Sequence, residues 1–243
     1  MMKKWIPLSF AAILICGSIT SLAAESKVYQ GLGHSKNFRV GPGKDSEGHQ
    51  VYSFNYIDAS VIFDADGKII NVIVDALEVS SPNYDGESMP HFSGWPGTEG
   101  YNLTDHKTKT VVGKTENSVE NISNEVNSWK TKRERGATYG MNPRNEWDKQ
   151  MDYFQEKFKG KTVDELEDNF AKMYSDVNGR PLKERSANEK DKEKFAKLTD
   201  AQKKEVADIT AGATMSLRDS HGDILEAIKK AYENRIEVTI QSK

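Results

Sequence analysis

The sequence predicts an α+β fold: an antiparallel sheet built around a central hairpin and packed against several helices. Three features lead there. Val51 to Phe63 and Lys68 to Val79 flank Asp64-Ala65-Asp66-Gly67, and Asp-Gly between alternating apolar runs is hairpin-turn chemistry. Downstream, apolar residues recur at helical spacing in several successive segments. After them, Arg235 to Ile240 places Ile236, Val238 and Ile240 on one face of a strand able to close the sheet.

Taken in order, residues 1–24 read as a signal peptide rather than as part of the fold. Lys3 and Lys4 are a positive start, Ile6 to Ile19 an apolar run, and Ser21-Leu22-Ala23-Ala24 a small-residue cleavage site. The apolar run is too short for a lasting membrane span. The single cysteine, Cys16, lies inside it after Ile15, a setting that disfavours lipidation, so the mature chain is expected to have no disulfide and no Cys-ligated metal. Cleavage removes two lysines and no acid, taking the formal charge from -3 to -5. Mixed charge of that sign argues against nucleic-acid binding. Residues 25–243 are expected to form one domain with a helical insertion over about 116–200. Apolar content of 36% against 29% charged implies that much of the second half is solvated helix surface.

Tyr29 to Gly33 reads as a first strand, Gly41-Pro42-Gly43 as a turn, and the hairpin follows. Ser80 to Gly113 reads as a long loop whose aromatics, Trp95 before Pro96-Gly97 in particular, suggest function. Ser118 to Arg135 is expected to be one helix with Val119, Ile122, Val126 and Trp129 on a face. Asn142-Pro143 opens a second, striped by Trp147, Met151, Phe154 and Phe158 and stopped by Lys159-Gly160. Thr162 and Glu165 form a capping box for a third, bearing Leu166, Phe170 and Met173. Asn178 to Lys197 reads as a charged, solvated excursion, and Thr199 with Gln202 caps a short helix. A small, flexible turn from Asp208 to Thr214 leads to a last helix beginning at Ser216, with Asp219 as its box partner and Leu217, His221, Ile224, Ile228 and Ala231 along its face.

That turn carries the sharpest chemical signal. Free N–H groups and the positive dipole end of a following helix would suit a phosphate, with the Thr214 hydroxyl beside them. The order Asp208-Ile209-Thr210-Ala211-Gly212-Ala213-Thr214 resembles the Asp-x-x-[Ser/Thr]-Gly-Ala-Thr signature of the FMN-binding domain family. In that family a dedicated flavin transferase esterifies FMN through its phosphate to the threonine. Members include the flavin-carrying subunits of the sodium-pumping quinone reductase and secreted flavoproteins of extracellular electron transfer. The resemblance implies Thr214 as the attachment residue, Asp208, Gly212 and Ala213 as the rest of the signature, Ser216 beside it, and Trp95 against the flavin ring. Ala211 departs from the pattern by lacking a hydroxyl. The hairpin matches the family's N-terminal sheet in outline.

Gly136-Ala137-Thr138 repeats the core triplet, but Lys132 stands where the acid should be. Thr138 is therefore expected to be unmodified and Gly136 to end a helix. No pair among His34, His49, His91, His106 and His221 has metal-ligand spacing, and no dinucleotide, Walker or nucleophile-elbow motif occurs. Arg218 is a candidate to balance phosphate charge.

With the signal-peptide pattern, the resemblance implies an exported electron-transfer flavoprotein carrying covalent FMN on Thr214. It would relay electrons between a membrane donor and an external acceptor, as a carrier rather than a complete reductase. The competing expectation is an exported module that binds a ligand or partner through the Trp95 loop, with Thr214 unmodified.

Overall fold

The computed structural model describes residues 27–81, 89–105, 107–108, 110–139, 141 and 146–239. The architecture is α+β. Strands β1 (Lys27–Lys44), β2 (Gln50–Phe63) and β3 (Ile69–Ser81) form an antiparallel meander. Hairpin register runs from Tyr52↔Ser81 to Phe63↔Ile69, and β1 pairs Tyr29↔Phe63 through Val40↔Tyr52. The predicted Gly41-Pro42-Gly43 turn is instead an irregularity inside β1, between Val40 and Lys44. The expected long loop holds a small hairpin, β4 (Asn102–Thr104) and β5 (Val111–Lys114).

The helical region starts with α1 (Val119–Asn127), capped by the Ser118 side chain, and α2 (Lys132–Arg135), capped by a Thr131–Glu134 box. One helix was expected over this span. The Thr131 cap starts a new one, and of the expected stripe Ile122 is buried while Val119 is 74% exposed. A 3₁₀ turn over Gly136–Tyr139 follows, so Gly136 does end a helix. Helix α3 (Trp147–Phe158) buries its whole predicted stripe. Asn142-Pro143 and residues 1–24 lie outside the described residues. Helix α4 (Val163–Met173) has the expected Thr162–Glu165 box.

Residues 178–197 are less solvated than their charge suggests. Pro181 bridges back to Tyr174, Leu182 is buried at 1% exposure, and α5 (Glu189–Ala196) follows. Helix α6 (Asp200–Gly212), with its Thr199–Gln202 box, continues through the expected flexible turn. Nor does a helix start at Ser216. The chain makes a two-rung ribbon, β6 (Arg218–Asp219) and β7 (Gly222–Asp223), before α7 (Ile224–Glu233) begins with Asp223 as N-cap. The Asp219 carboxylate is engaged within that ribbon by His221, which leaves capping to Asp223, whose side chain accepts from the Glu226 N–H. Strand β8 (Ile236–Thr239) pairs with β1 and completes the order β3-β2-β1-β8.

One face of the sheet carries the core. Ala59, Val61, Phe63, Val72 and Val74 alternate inward along β2 and β3 and meet Met151, Phe154, Ile224, Leu225 and Ile228 from α3 and α7. Helix α7 lies directly on the β1 backbone at two glycines: a Cβ on Gly31 would stand 1.8 Å from the Ala231 carbonyl oxygen, and one on Gly33 2.1 Å from that of Ala227. The exposed edge of β3 is covered by side chains, since Gln155 Oε1 accepts from the Val74 N–H and Arg133 Nε donates to the Val74 oxygen. Farther along the same face the residues turn polar, with Asn55, Ser53 and Glu78 all buried. The candidate site opens where apolar gives way to polar.

Candidate functional site

A cavity of about 280 Å³ lies beside the segment that follows α6. Its apolar lining comes from Ile57 on β2, Ala76 on β3, Ile224 on α7 and the ring of Trp147. Thr214, Ser216, Asp219 and His221 form a polar side, and Lys132 and Arg180 bring positive charge. The volume is near the lower end of small-ligand sites, about 300–1,000 Å³.

Thr214 is positioned by an unexpected residue. Gln150 is 1% exposed within the apolar stripe of α3, and its Oε1 accepts from the main-chain N–H of both Thr214 (2.8 Å) and Met215 (3.0 Å). The next residues run beside the α4–α5 connection: Ser216 Oγ donates to the Asn178 oxygen and the Leu217 N–H to the Gly179 oxygen (3.0 Å). The Thr214 hydroxyl itself has no hydrogen-bond partner among the described residues. Thr138, in the other Gly-Ala-Thr, differs: its hydroxyl donates to the Arg135 oxygen at 2.7 Å.

The remaining signature residues act around Thr214. Gly212 is the last helical residue, where backbone freedom is not used; a Cβ there would meet the Tyr153 ring at 2.3 Å, so the residue serves close approach. Ala213 is fully buried behind it. Asp208 is not among the cavity-lining residues and pairs with Lys157, while the Tyr153 hydroxyl donates to its main-chain oxygen (2.9 Å). The Lys157 ammonium holds the Asp208 carboxyl below the usual carboxylate range. Asp208 and Tyr153 thus clamp the end of α6 from which Thr214 emerges. Ser216 lines the cavity; Trp95 does not. Trp95 is 70% exposed and packs edge-on against Phe92, with centroids 5.1 Å apart.

Two electrostatic expectations are corrected. Thr214 follows a helix C-terminus, the negative end of the dipole, and its own N–H is taken by Gln150. Positive charge for an anion comes from side chains instead. Arg218 does not supply it: bound by Glu167 and Asp223 over the Phe170 ring, it lies outside the cavity lining. Arg180 is exposed, lines the cavity, and its guanidinium has no acidic partner among the described residues. Lys132 is buried and paired with Glu78 Oε2 at 3.3 Å; Glu78 also accepts from Arg39 (3.0 Å) and Ser53 (3.1 Å). Burial opposes ionisation of Glu78, but Lys132, His221 and Arg39 outweigh it and lower its pKa.

His221 was expected on a helix face. It sits instead in the β6–β7 turn with Nδ1 3.1 Å from Asp219 Oδ1. Burial would raise the Asp219 pKa, yet hydrogen bonds from the His221 ring and main chain bring it to about 2. No group of three or more His, Cys, Asp or Glu residues suited to a metal occurs among the described residues. Among them, too, no helix is long and apolar enough to cross a membrane.

The residues fit a phosphate-bearing aromatic cofactor. Among the described residues the Thr214 hydroxyl has no hydrogen-bond partner and the Arg180 guanidinium no acidic one; both line the cavity, and Trp147, Tyr139 and Ile57 offer apolar and aromatic surface to a ring. No protein-family model matches the chain, and no solved structure does. Among curated proteins it is similar to one named chlorophenol reductase from Desulfitobacterium hafniense, at 36% identity over 223 residues. The alignment takes in 88% of this chain, which spans 60% of the length of that relative.

Proposed function

We propose that the chain is an extracytoplasmic electron-transfer flavoprotein with FMN esterified through its phosphate to Thr214. The observation that carries this reading is the Thr214 hydroxyl at the cavity, without a hydrogen-bond partner among the described residues and preceded by the Asp208-to-Ala213 signature. The similarity to a protein named a reductase supports redox chemistry; chlorophenol reduction is stated of that relative. A flavin transferase is the partner needed for maturation, and a redox donor and acceptor complete the relay.

When bound, FMN supplies the one- and two-electron chemistry, and the protein supplies position and electrostatics. Gln150 and the Asp208–Tyr153 clamp hold Thr214 in place. Arg180 offsets the phosphodiester charge, a task for which its planar donor fork is suited. Ile57, Ala76 and Ile224 exclude water from one wall, and the Lys132–Glu78 pair sets the charge at its polar end. A covalent link removes dissociation, which matters outside the cytoplasm, where lost FMN is not replaced.

A second reading, a ligand- or partner-binding module with unmodified Thr214, draws on Ala211 and on the engagement of the Thr214 N–H by Gln150. Co-expression with a flavin transferase separates the two. The flavoprotein reading expects flavin fluorescence that survives denaturation in the wild type and is lost in a folded Thr214→Ala variant. Fluorescence surviving in Thr214→Ala, or absent from the wild type while the transferase modifies a control substrate, would refute it.

A further inference from the structure

His221 has a part that the carrier reading does not use. Its ring lines the cavity, and its Nδ1 is held by Asp219 Oδ1, which also accepts from the His221 main-chain N–H at 2.7 Å. An ionised carboxylate there requires the proton on Nδ1, which leaves Nε2 as the basic nitrogen. Nε2 has no hydrogen-bond partner among the described residues. The turn is fixed from the sheet side. Asn37 Nδ2 donates to the Ser220 oxygen (2.6 Å), Ser35 Oγ donates to the Asp223 oxygen (2.7 Å), and Gly222 at φ 133° lies close enough to Ile57 that a Cβ would stand 2.4 Å from its Cδ1. The ring is therefore placed by β1 and β2.

The other charged and titratable groups around it are Asp219 on β6, Lys132 on α2, Tyr139 in the 3₁₀ turn and Arg180 after α4, with Glu78 on β3 behind Lys132. Of these group types, an imidazole alone ordinarily changes charge between about pH 5 and 8. Lys132 is paired with Glu78, whose single carboxylate Arg39 shares, so neither cation of that cluster changes charge in this range, and Arg180 would be occupied by phosphate. Resting on the flavoprotein reading, we propose that His221 is a redox-linked proton acceptor: when two electrons enter the cavity from an external reductant, Nε2 takes one proton from solvent and the Asp219-held imidazolium balances the added negative charge. The electrons stay on the cofactor, no protein bond breaks, and oxidation by the acceptor returns the proton to solvent. Such a carrier couples electron transfer to proton uptake through a protein group as well as through its cofactor.

The test uses protein shown by intact mass to carry FMN. Midpoint potentials are measured by mediated reductive titration from pH 5 to 9 for wild type, His221→Gln and Asp219→Asn. The wild type is expected to show a pH window in which the reduction equilibrium changes by an extra factor of ten per pH unit relative to His221→Gln, about 30 mV for a two-electron couple. Asp219→Asn should move that window to lower pH, because the imidazolium loses its anionic partner. In parallel, the His221 ring is titrated by NMR in folded, flavin-free Thr214→Ala protein, where reversible protonation is expected. Parallel potential curves for wild type and His221→Gln would overturn the proposal, as would a ring that does not titrate in the flavin-free protein. Absence of FMN mass would instead overturn the flavoprotein reading, and with it the charge to which the imidazole answers.

Discussion

Gln150→Leu removes the anchor of the Thr214 segment and leaves a buried, apolar side chain one atom shorter. Two N–H donors lose their acceptor, at 2.8 and 3.0 Å in the native chain. They are not equivalent. Met215 is 8% exposed, so its N–H pays close to the full penalty for an unsatisfied buried donor, about 1–3 kcal/mol. Thr214 is partly exposed and can recover water, so its loss is nearer the net value of one hydrogen bond, about 0.5–1.5 kcal/mol. Added leucine–core contact returns about 0.5 kcal/mol of this, leaving a destabilisation of about 1–4 kcal/mol. Urea unfolding should show a lower midpoint with unchanged slope. Because the freed segment no longer holds Thr214 at the cavity, the fraction of chains acquiring flavin should fall together with stability. A destabilisation under about 0.5 kcal/mol with full flavin loading would refute the reasoning, since it would mean that neither N–H depends on Gln150.

Three other perturbations follow from the same structure. Gly33→Ala places a Cβ 2.1 Å from the Ala227 oxygen and from the Ala231 nitrogen; α7 must shift, and denaturant unfolding should show a loss of about 3 kcal/mol, the upper part of the overpacking range. Glu78→Gln leaves Lys132 and Arg39 without their buried carboxylate, a loss of about 3–5 kcal/mol by the same assay, and adding Lys132→Met should recover much of it. Asp219, lowered from 3.8 to about 2 in the folded chain, contributes stability above pH 4 that disappears as pH falls toward 2. Discounted for its partial exposure, this amounts to about 1–2 kcal/mol, so Asp219→Asn should flatten the acid limb of a stability-against-pH curve in that window.

What the sequence made legible follows physical range. The hairpin was legible because alternation and Asp-Gly are local signals, but a register shift between Ile62 and Phe63 beside the turn buries Ile69 and leaves Ile70 exposed, which alternation with Val72 and Val74 does not foretell. The capping boxes at Thr162 and Thr199 were legible for the same reason. The box at Ser216 was misleading: Asp219 binds the His221 N–H and ring rather than capping, and the ribbon it stabilises delays α7 to Asp223. Charge hid the burial of Leu182, which depends on backbone bonding to Met173 across the α4–α5 connection. At the candidate site, Thr214 was singled out by the resemblance of its neighbours and Ser216 by a capping pattern the chain does not use, and both line the cavity. Lys132 and Arg180 were missed because they reach the cavity from 82 and 34 positions upstream of Thr214. Gln150 left one clue, a polar residue three after Trp147 and four before Phe154 on an otherwise apolar stripe. Helix C-terminus or N-terminus at Thr214 was decided by where α7 could begin, which the triplet itself does not encode.

The central claim is a single bond at Thr214, and the most direct measurement is peptide mass spectrometry of the chain produced together with an active flavin transferase. The account predicts that the peptide containing Thr214 carries the mass of FMN less one water, with the peptide containing Thr138 unmodified. An unmodified Thr214 peptide, from cells whose transferase loads a control substrate, would contradict it.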